Sequence, residues 1–236
     1  MNSELENKVN YLYDSVKAEH ISTKELYHGH FIDLIEEEYL LPNNKIIKRE
    51  RIIKNMGKEA VIVIAITSDN KYILVAQNRI DNKVSLEFPS GYIEDGETYI
   101  EGAVRELLEE TGYVSDSIYH LDSYYSQLGI DSSITHIVVA NNCIKQHNQN
   151  LSPHEYINYI EFSFEELVEL INENVINSVG NKLAFYNLVN NVDDCNVIYT
   201  DSNKKIYKKQ KKELNSFIRW NWWSILLIVA YYLHIW

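Results

Sequence analysis

The chain has 236 residues, 45% of them apolar and 24% charged, values that exclude wholesale disorder and allow one main domain with an appendage. Its net charge of −12 is unevenly divided, with 15 Lys/Arg against 32 Asp/Glu in residues 1–200 and seven against two in residues 201–236, so the body repels phosphate backbones and nucleic-acid binding is not expected. Two cysteines, Cys143 and Cys195, stand far apart and exclude a disulfide framework or a cysteine-built zinc site; with an acidic N-terminus that lacks a hydrophobic signal core, a reducing, cytoplasmic setting is expected.

Residues 1–55 read as a small N-terminal unit. A helix is expected around Lys8 to Lys17, followed by a hairpin in HFIDLIEEEYLLPNNKIIKRERII that turns at Pro42, Asn43 and Asn44. The run AVIVIAIT (60–67) is β-branched and apolar, and turn residues Ser68 to Asn70 separate it from KYILVAQN, so two buried strands joined by a tight turn are expected. A short strand, VSLEF (84–88), runs into Pro89, Ser90 and Gly91, where proline ends the ladder and glycine frees the backbone.

The helix that follows is bounded by the capping-box pair Thr98 and Glu101 and by Gly112. Ile100, Ala103, Val104, Leu107 and Thr111 fall on one side of it at helical spacing, a stripe for packing on a sheet. Residues 133–141 and 155–162 read as strands, 164–171 and 182–189 as helices. Strands and helices mix without βαβ alternation, which predicts an α+β sandwich.

On the bounded helix Glu109 and Glu110 lie about 60° and 40° to either side of Glu106, so three carboxylates are expected to share a face opposite the apolar stripe. Such a cluster is either a solvated face or a site for a hard divalent cation, which takes oxygen ligands beside substrate phosphates. The flexible Ser90-Gly91 backbone can add a carbonyl to the same ion. Arg105 is placed to pair with Glu97 and hold loop to helix, or else is an exposed arginine.

The segment resembles the Nudix box, G-x5-E-x7-R-E-U-x-E-E-x-G-U with U a bulky apolar residue. Gly91, Glu97, Arg105, Glu106, Leu107, Glu109, Glu110 and Gly112 match, with Tyr113 at the last position. The resemblance implies a Nudix-type α/β/α sandwich with a mixed sheet over residues 56–192, and a hydrolase that uses Mg²⁺ or Mn²⁺ and water to split a nucleoside diphosphate linked to another group. Similarity from about residue 25 to 190 points to the ADP-ribose and ADP-sugar pyrophosphatases, whose products are AMP and a sugar phosphate. It implies a homodimer through the N-terminal segment, metal on Glu106, Glu110 and Glu109 with the Ser90 carbonyl, substrate contacts from Arg79 and Glu87, and a base from a later loop, where Glu155 is nearest. Taken alone, Arg79 reads equally as a strand-end charge and Glu155 as a surface glutamate. The subfamily's proline about 15 residues past the box is replaced by Ser126-Gln127-Leu128-Gly129, which is expected to free that loop. Other nucleotide substrates, or a non-catalytic membrane-tethered sensor, are the alternatives.

Residues 193–236 form a basic linker and hydrophobic tail, with six lysines in KKIYKKQKK before an uncharged stretch from Trp222 to Trp236. Residues 217–236 are expected to anchor in or lie on a membrane, or else to pack as a soluble or partner-binding helix.

Overall fold

The computed structural model describes residues 2–190; the expected linker and tail at 193–236 lie outside the described residues. A first helix, α1 (Ser3–Val16), is capped by the Asn2 side chain, which accepts the Leu5 N–H at 2.9 Å, and it has no buried residue. Three strands follow, β1 (Glu19–His28), β2 (Ile32–Leu40) and β3 (Ile46–Lys54). They form an antiparallel sheet in that order, and the expected hairpin turns at 41–45 with Asn44 at a φ of 60°. Strand β1 was not anticipated, because its polar sequence EHISTKELYH is exposed along its whole length.

The second sheet is mixed and has eight strands. Its central path runs β11 (Ile157–Phe162), β5 (Tyr72–Asn78), β4 (Ala60–Thr67), β10 (Ile134–Lys145) and β8 (Tyr113–Val114). Off this path β6 (Val84–Glu87) pairs with β5, β7 (Ser90–Tyr92) with β4, and β9 (Ser117–Tyr125) with β10. β4 and β10 are parallel neighbours. Both are buried on two faces, which is why each reads as a continuous apolar run rather than an alternation.

The alternation instead sorts side chains between two cores. Ile62, Ile64, Ile66, Leu74, Ile137 and Val139 face α3 (Phe164–Asn172) and α4 (Val179–Asn190), which contribute Phe164, Leu167, Ile171 and Leu188. Val61, Val63, Ala65, Ile73, Val138 and Ala140 face α2 (Tyr99–Thr111), which contributes Ala103 and Leu107. Helices on both faces of a mixed sheet make the expected α/β/α sandwich. No helix among the described residues is long and apolar enough to cross a membrane.

Two expectations are corrected. Val104 is 40% exposed, because α2 packs through Ala103, Leu107 and Thr111 and turns Val104 outward. The strand expected to begin at 155 begins at Ile157, leaving Glu155 in the preceding turn.

Candidate active site

The capping box of α2 is formed in full: Thr98 Oγ1 accepts the Glu101 N–H at 3.2 Å and Glu101 accepts the Thr98 N–H at 2.8 Å. At the other end Gly112 takes a φ of 70°, a conformation that costs glycine little. The last carbonyls of the helix, which have no partner within it, are met by the end of β10 and the segment after it. Asn150 N–H donates to Glu109 O at 2.9 Å, Gln149 Nε2 to Glu110 O at 2.6 Å, and Lys145 Nζ to Thr111 O at 2.5 Å. Gln146 and His147 N–H groups both reach Gly112 O. Gln149 also donates to Ile157 O at 3.0 Å, so one amide ties the helix end to β11 and to the turn bearing Glu155.

The three glutamates of α2 are not equivalent. Glu110 is only 4% exposed and lies on the buried stripe itself, one turn beyond Leu107, where its carboxylate accepts the Ser90 N–H at 3.0 Å. This corrects the expectation of three carboxylates on a face opposite the stripe. Glu106 lies against Gly91, where any Cβ would collide with its carboxylate. Glu109 is partly exposed and is held by Arg105 at 3.1 Å.

Arg105 organises this side of the helix. Its guanidinium bonds Glu97 at 2.9 Å, as expected, and also Glu106 at 2.8 Å and the Tyr92 carbonyl at 2.7 Å. Glu97 first, then Glu106 and Glu109, raise its pKa further above the ordinary arginine value. Burial raises the Glu106 pKa, aided by the charges of Glu109 and Glu155. Glu110 is pushed up to about 8, first by burial and then by the charges of Glu106 and Glu155, against the opposing Ser90 N–H and Arg79. Glu155 is exposed and accepts the Ser152 N–H at 3.1 Å, yet its charge acts on both buried glutamates, so its turn faces the box. Arg79 and Glu87 meet each other, Nε to Oε1 at 3.0 Å; Ser85 also donates to Glu87.

The residues suit a divalent cation by chemistry: oxygen donors only, like charges on neighbouring Glu106, Glu109 and Glu110, and a glycine at 91 that lets the Glu106 carboxylate lie against the bend. They are not pre-assembled, since no group of three His, Cys, Asp or Glu side chains among the described residues is arranged to hold an ion and Arg105 occupies Glu106 and Glu109. Residues 126–129, where the proline is replaced, are exposed, and the residues directly after them are tied to β3. Ile130 O accepts the Ile52 N–H at 2.8 Å, Asp131 pairs with Lys54 at 2.5 Å, and Ser132 accepts from Arg51 at 2.9 Å.

Sequence reasoning passed over two supports of this site. Gln149 sits in a poorly patterned loop and gave no signal. Asn181, buried, accepts the Phe88 N–H at 2.7 Å and so ties the Phe88-Pro89-Ser90 bend to α4; one of two amides in NKLAFYNLV, it carried no distinguishing signal.

Comparison with known proteins matches residues 56–179 to the NUDIX domain. The chain is 33% identical over 159 residues to an ADP-ribose pyrophosphatase of Bacillus subtilis, covering 66% of this chain and 84% of that one. It is 36% identical over 155 residues to a methanol dehydrogenase activator of Bacillus methanolicus (65% and 82% covered) and 31% identical over 136 residues to an ADP-sugar pyrophosphatase of Mus musculus (53% and 62%). Among solved structures, an ADP compounds hydrolase superposes with a TM-score of 0.67 at 22% identity, over 75% of this chain and 95% of that one, a likeness of fold. A glutamate-bearing helix sealed against a glycine bend, inside a domain match covering just over half of the chain, leads to one conclusion: this protein belongs to the NUDIX domain family.

Proposed function

We propose that the protein hydrolyses ADP-ribose or a related ADP-sugar to AMP and a sugar phosphate, at a site on α2 and the Ser90-Gly91 bend. The observation that carries this reading is Glu110, buried beneath the bend with the charges of Glu106 and Glu155 acting on it. A buried carboxylate surrounded by like charge is costly unless a cation joins it. The ADP-ribose and ADP-sugar pyrophosphatases among the relatives support the substrate class.

Glu106 and Glu110, with Glu109 and the Ser90 carbonyl, would hold Mg²⁺ or Mn²⁺, which when bound offsets phosphate charge and acidifies water. Arg79, whose Nε and one terminal amine are bonded to Glu87, would offer its remaining donors to a diphosphate. Glu155, exposed in its turn, would accept the proton of an attacking water. Arg105 would have to share Glu106 and Glu109 with a bound cation, while its contacts to Glu97 and the Tyr92 carbonyl lie outside the proposed ligand set. In this division of labour residues 56–192 carry catalysis, 1–55 carry homodimer assembly, and 193–236 carry any membrane contact. The exposed apolar side chains Ile21, Leu26, Tyr27 and Phe31 of the N-terminal sheet support the second assignment, which light scattering on the purified chain would test. Fractionating cells with and without residues 204–236 would test the third.

The direct test is AMP release from a panel of nucleotide sugars with Mg²⁺ or Mn²⁺, beside a Glu110→Gln variant. Release from ADP-ribose or an ADP-sugar that the variant loses supports the reading. Tight binding with no turnover across the panel would favour a sensor.

A further inference from the structure

A second cluster of reactive side chains lies on the α2 side of the sheet, about 10 Å along the helix from Glu106. In the β9/β10 ladder Ser123 faces His136 directly and His120 faces Val138, with Leu121 as an extra residue between. Residues three apart on a regular strand point to opposite faces; this bulge brings His120 and Ser123 to the same one. The result is a continuous chain of hydrogen bonds. His120 Nε2 lies 2.8 Å from Ser123 Oγ, Ser123 Oγ 2.8 Å from His136 Nδ1, and His136 Nε2 2.8 Å from Glu59 Oε2. Tyr99 stacks on His136 at 4.7 Å between ring centres and flanks His120 at 5.0 Å, fixing both rings from the helix side.

The direction of the chain follows from chemistry. A neutral His136 that donates from Nε2 to the Glu59 carboxylate has only Nδ1 left to accept, so Ser123 O–H must donate to it, and His120 N–H in turn donates to Ser123 Oγ. A hydroxyl held by a base at hydrogen-bond distance, with that base oriented by a carboxylate, is the arrangement that activates a serine. Ser123 is also exposed, so an electrophile can reach it. Nothing in pyrophosphate hydrolysis at α2 uses these residues.

We propose that Ser123 is the nucleophile of a second site, which is acylated by small activated carboxylic esters and turns them over, with His136 as base, Glu59 as its orienting partner, and the His120 N–H passing from Ser123 Oγ to the developing oxyanion as the new bond forms. Ser123 Oγ bonds to the carbonyl carbon as its proton passes to His136 Nδ1. The bond to the leaving oxygen breaks and that oxygen takes the proton from His136. Water then attacks the acyl group, gives its proton through His136 back to Ser123 Oγ, and releases the carboxylic acid.

The test uses the full chain with a fluorophosphonate serine reagent and p-nitrophenyl acetate. Expected are one phosphonyl adduct per chain, mapped to Ser123, and p-nitrophenol release that Ser123→Ala abolishes. H136Q and E59Q should each slow labelling, H136Q by about a hundredfold. Nucleotide hydrolysis by the same preparations serves as the control for folding, since none of these side chains contacts the α2 glutamates. No adduct, an adduct elsewhere, or unchanged labelling in both H136Q and E59Q with nucleotide hydrolysis intact would overturn the proposal.

Discussion

A methyl group at Gly91 would collide with the Glu106 carboxylate. Because that carboxylate ends a flexible side chain, the clash is relieved by moving it rather than the backbone. Gly91→Ala should therefore change the unfolding free energy by less than about 1 kcal/mol while lowering kcat by about a hundredfold, read from urea titration beside steady-state kinetics. Glu110 makes the opposite kind of prediction. Its pKa is about 8 in the folded chain against an ordinary 4.5, so the folded state binds a proton more tightly than the unfolded one. Its contribution is fully favourable below the unfolded value and is lost as pH rises through 8. The metal-free protein should melt at progressively lower temperature from pH 5 to 8.5, Glu110→Gln should flatten that slope, and a divalent cation should restore stability at the alkaline end. Of these residues, Glu106 and Glu110 were legible from the box spacing. That Glu110 points inward was not, because a wheel drawn from charges puts every carboxylate on the wet side and ignores a buried N–H such as that of Ser90.

At the scale of elements, α2 works because its last turn is sealed by Lys145, Gln149 and Asn150. Gln149 hydrogen-bonds both the helix end and the first residue of β11. Gln149→Ala should lower kcat about tenfold or more with little change in KM, since it displaces the turn carrying Glu155 without touching substrate. Gly112→Ala should cost more than 1 kcal/mol of stability, because alanine is strained at a φ of 70° and its Cβ would collide with the His147 carbonyl. The elements themselves were largely readable: the buried strands β4 and β5, the cap and stop of α2, and the later helices all follow from apolar periodicity and end signals. Strands β1 and β9 escaped because tertiary pairing, not an apolar pattern, makes them strands; β9 alternates aromatic and polar residues across a bulge that no local rule foretells.

For the molecule as a whole, the box, the bend and the loop at 126–133 belong to one connected frame. Lys54–Asp131, Arg51–Ser132 and the Ile52–Ile130 backbone bond tie the N-terminal sheet to the loop beyond α2. Asp131, 3% exposed, is the charge this link buries, and removing Lys54 would leave it without its cation. Lys54→Met should therefore destabilise the chain by about 3 kcal/mol and loosen the loop, seen as faster amide exchange at residues 127–133. The anchoring of residues 130–132 to β3 was not legible from sequence, because sequence shows local stiffness and not long-range contacts. The decisive measurement is AMP release from ADP-ribose and ADP-sugars by the purified chain, with and without Mg²⁺ or Mn²⁺. Turnover should require the cation and fall by about a thousandfold in Glu110→Gln. Cation-independent turnover, or turnover undiminished in that variant, would contradict the proposed function.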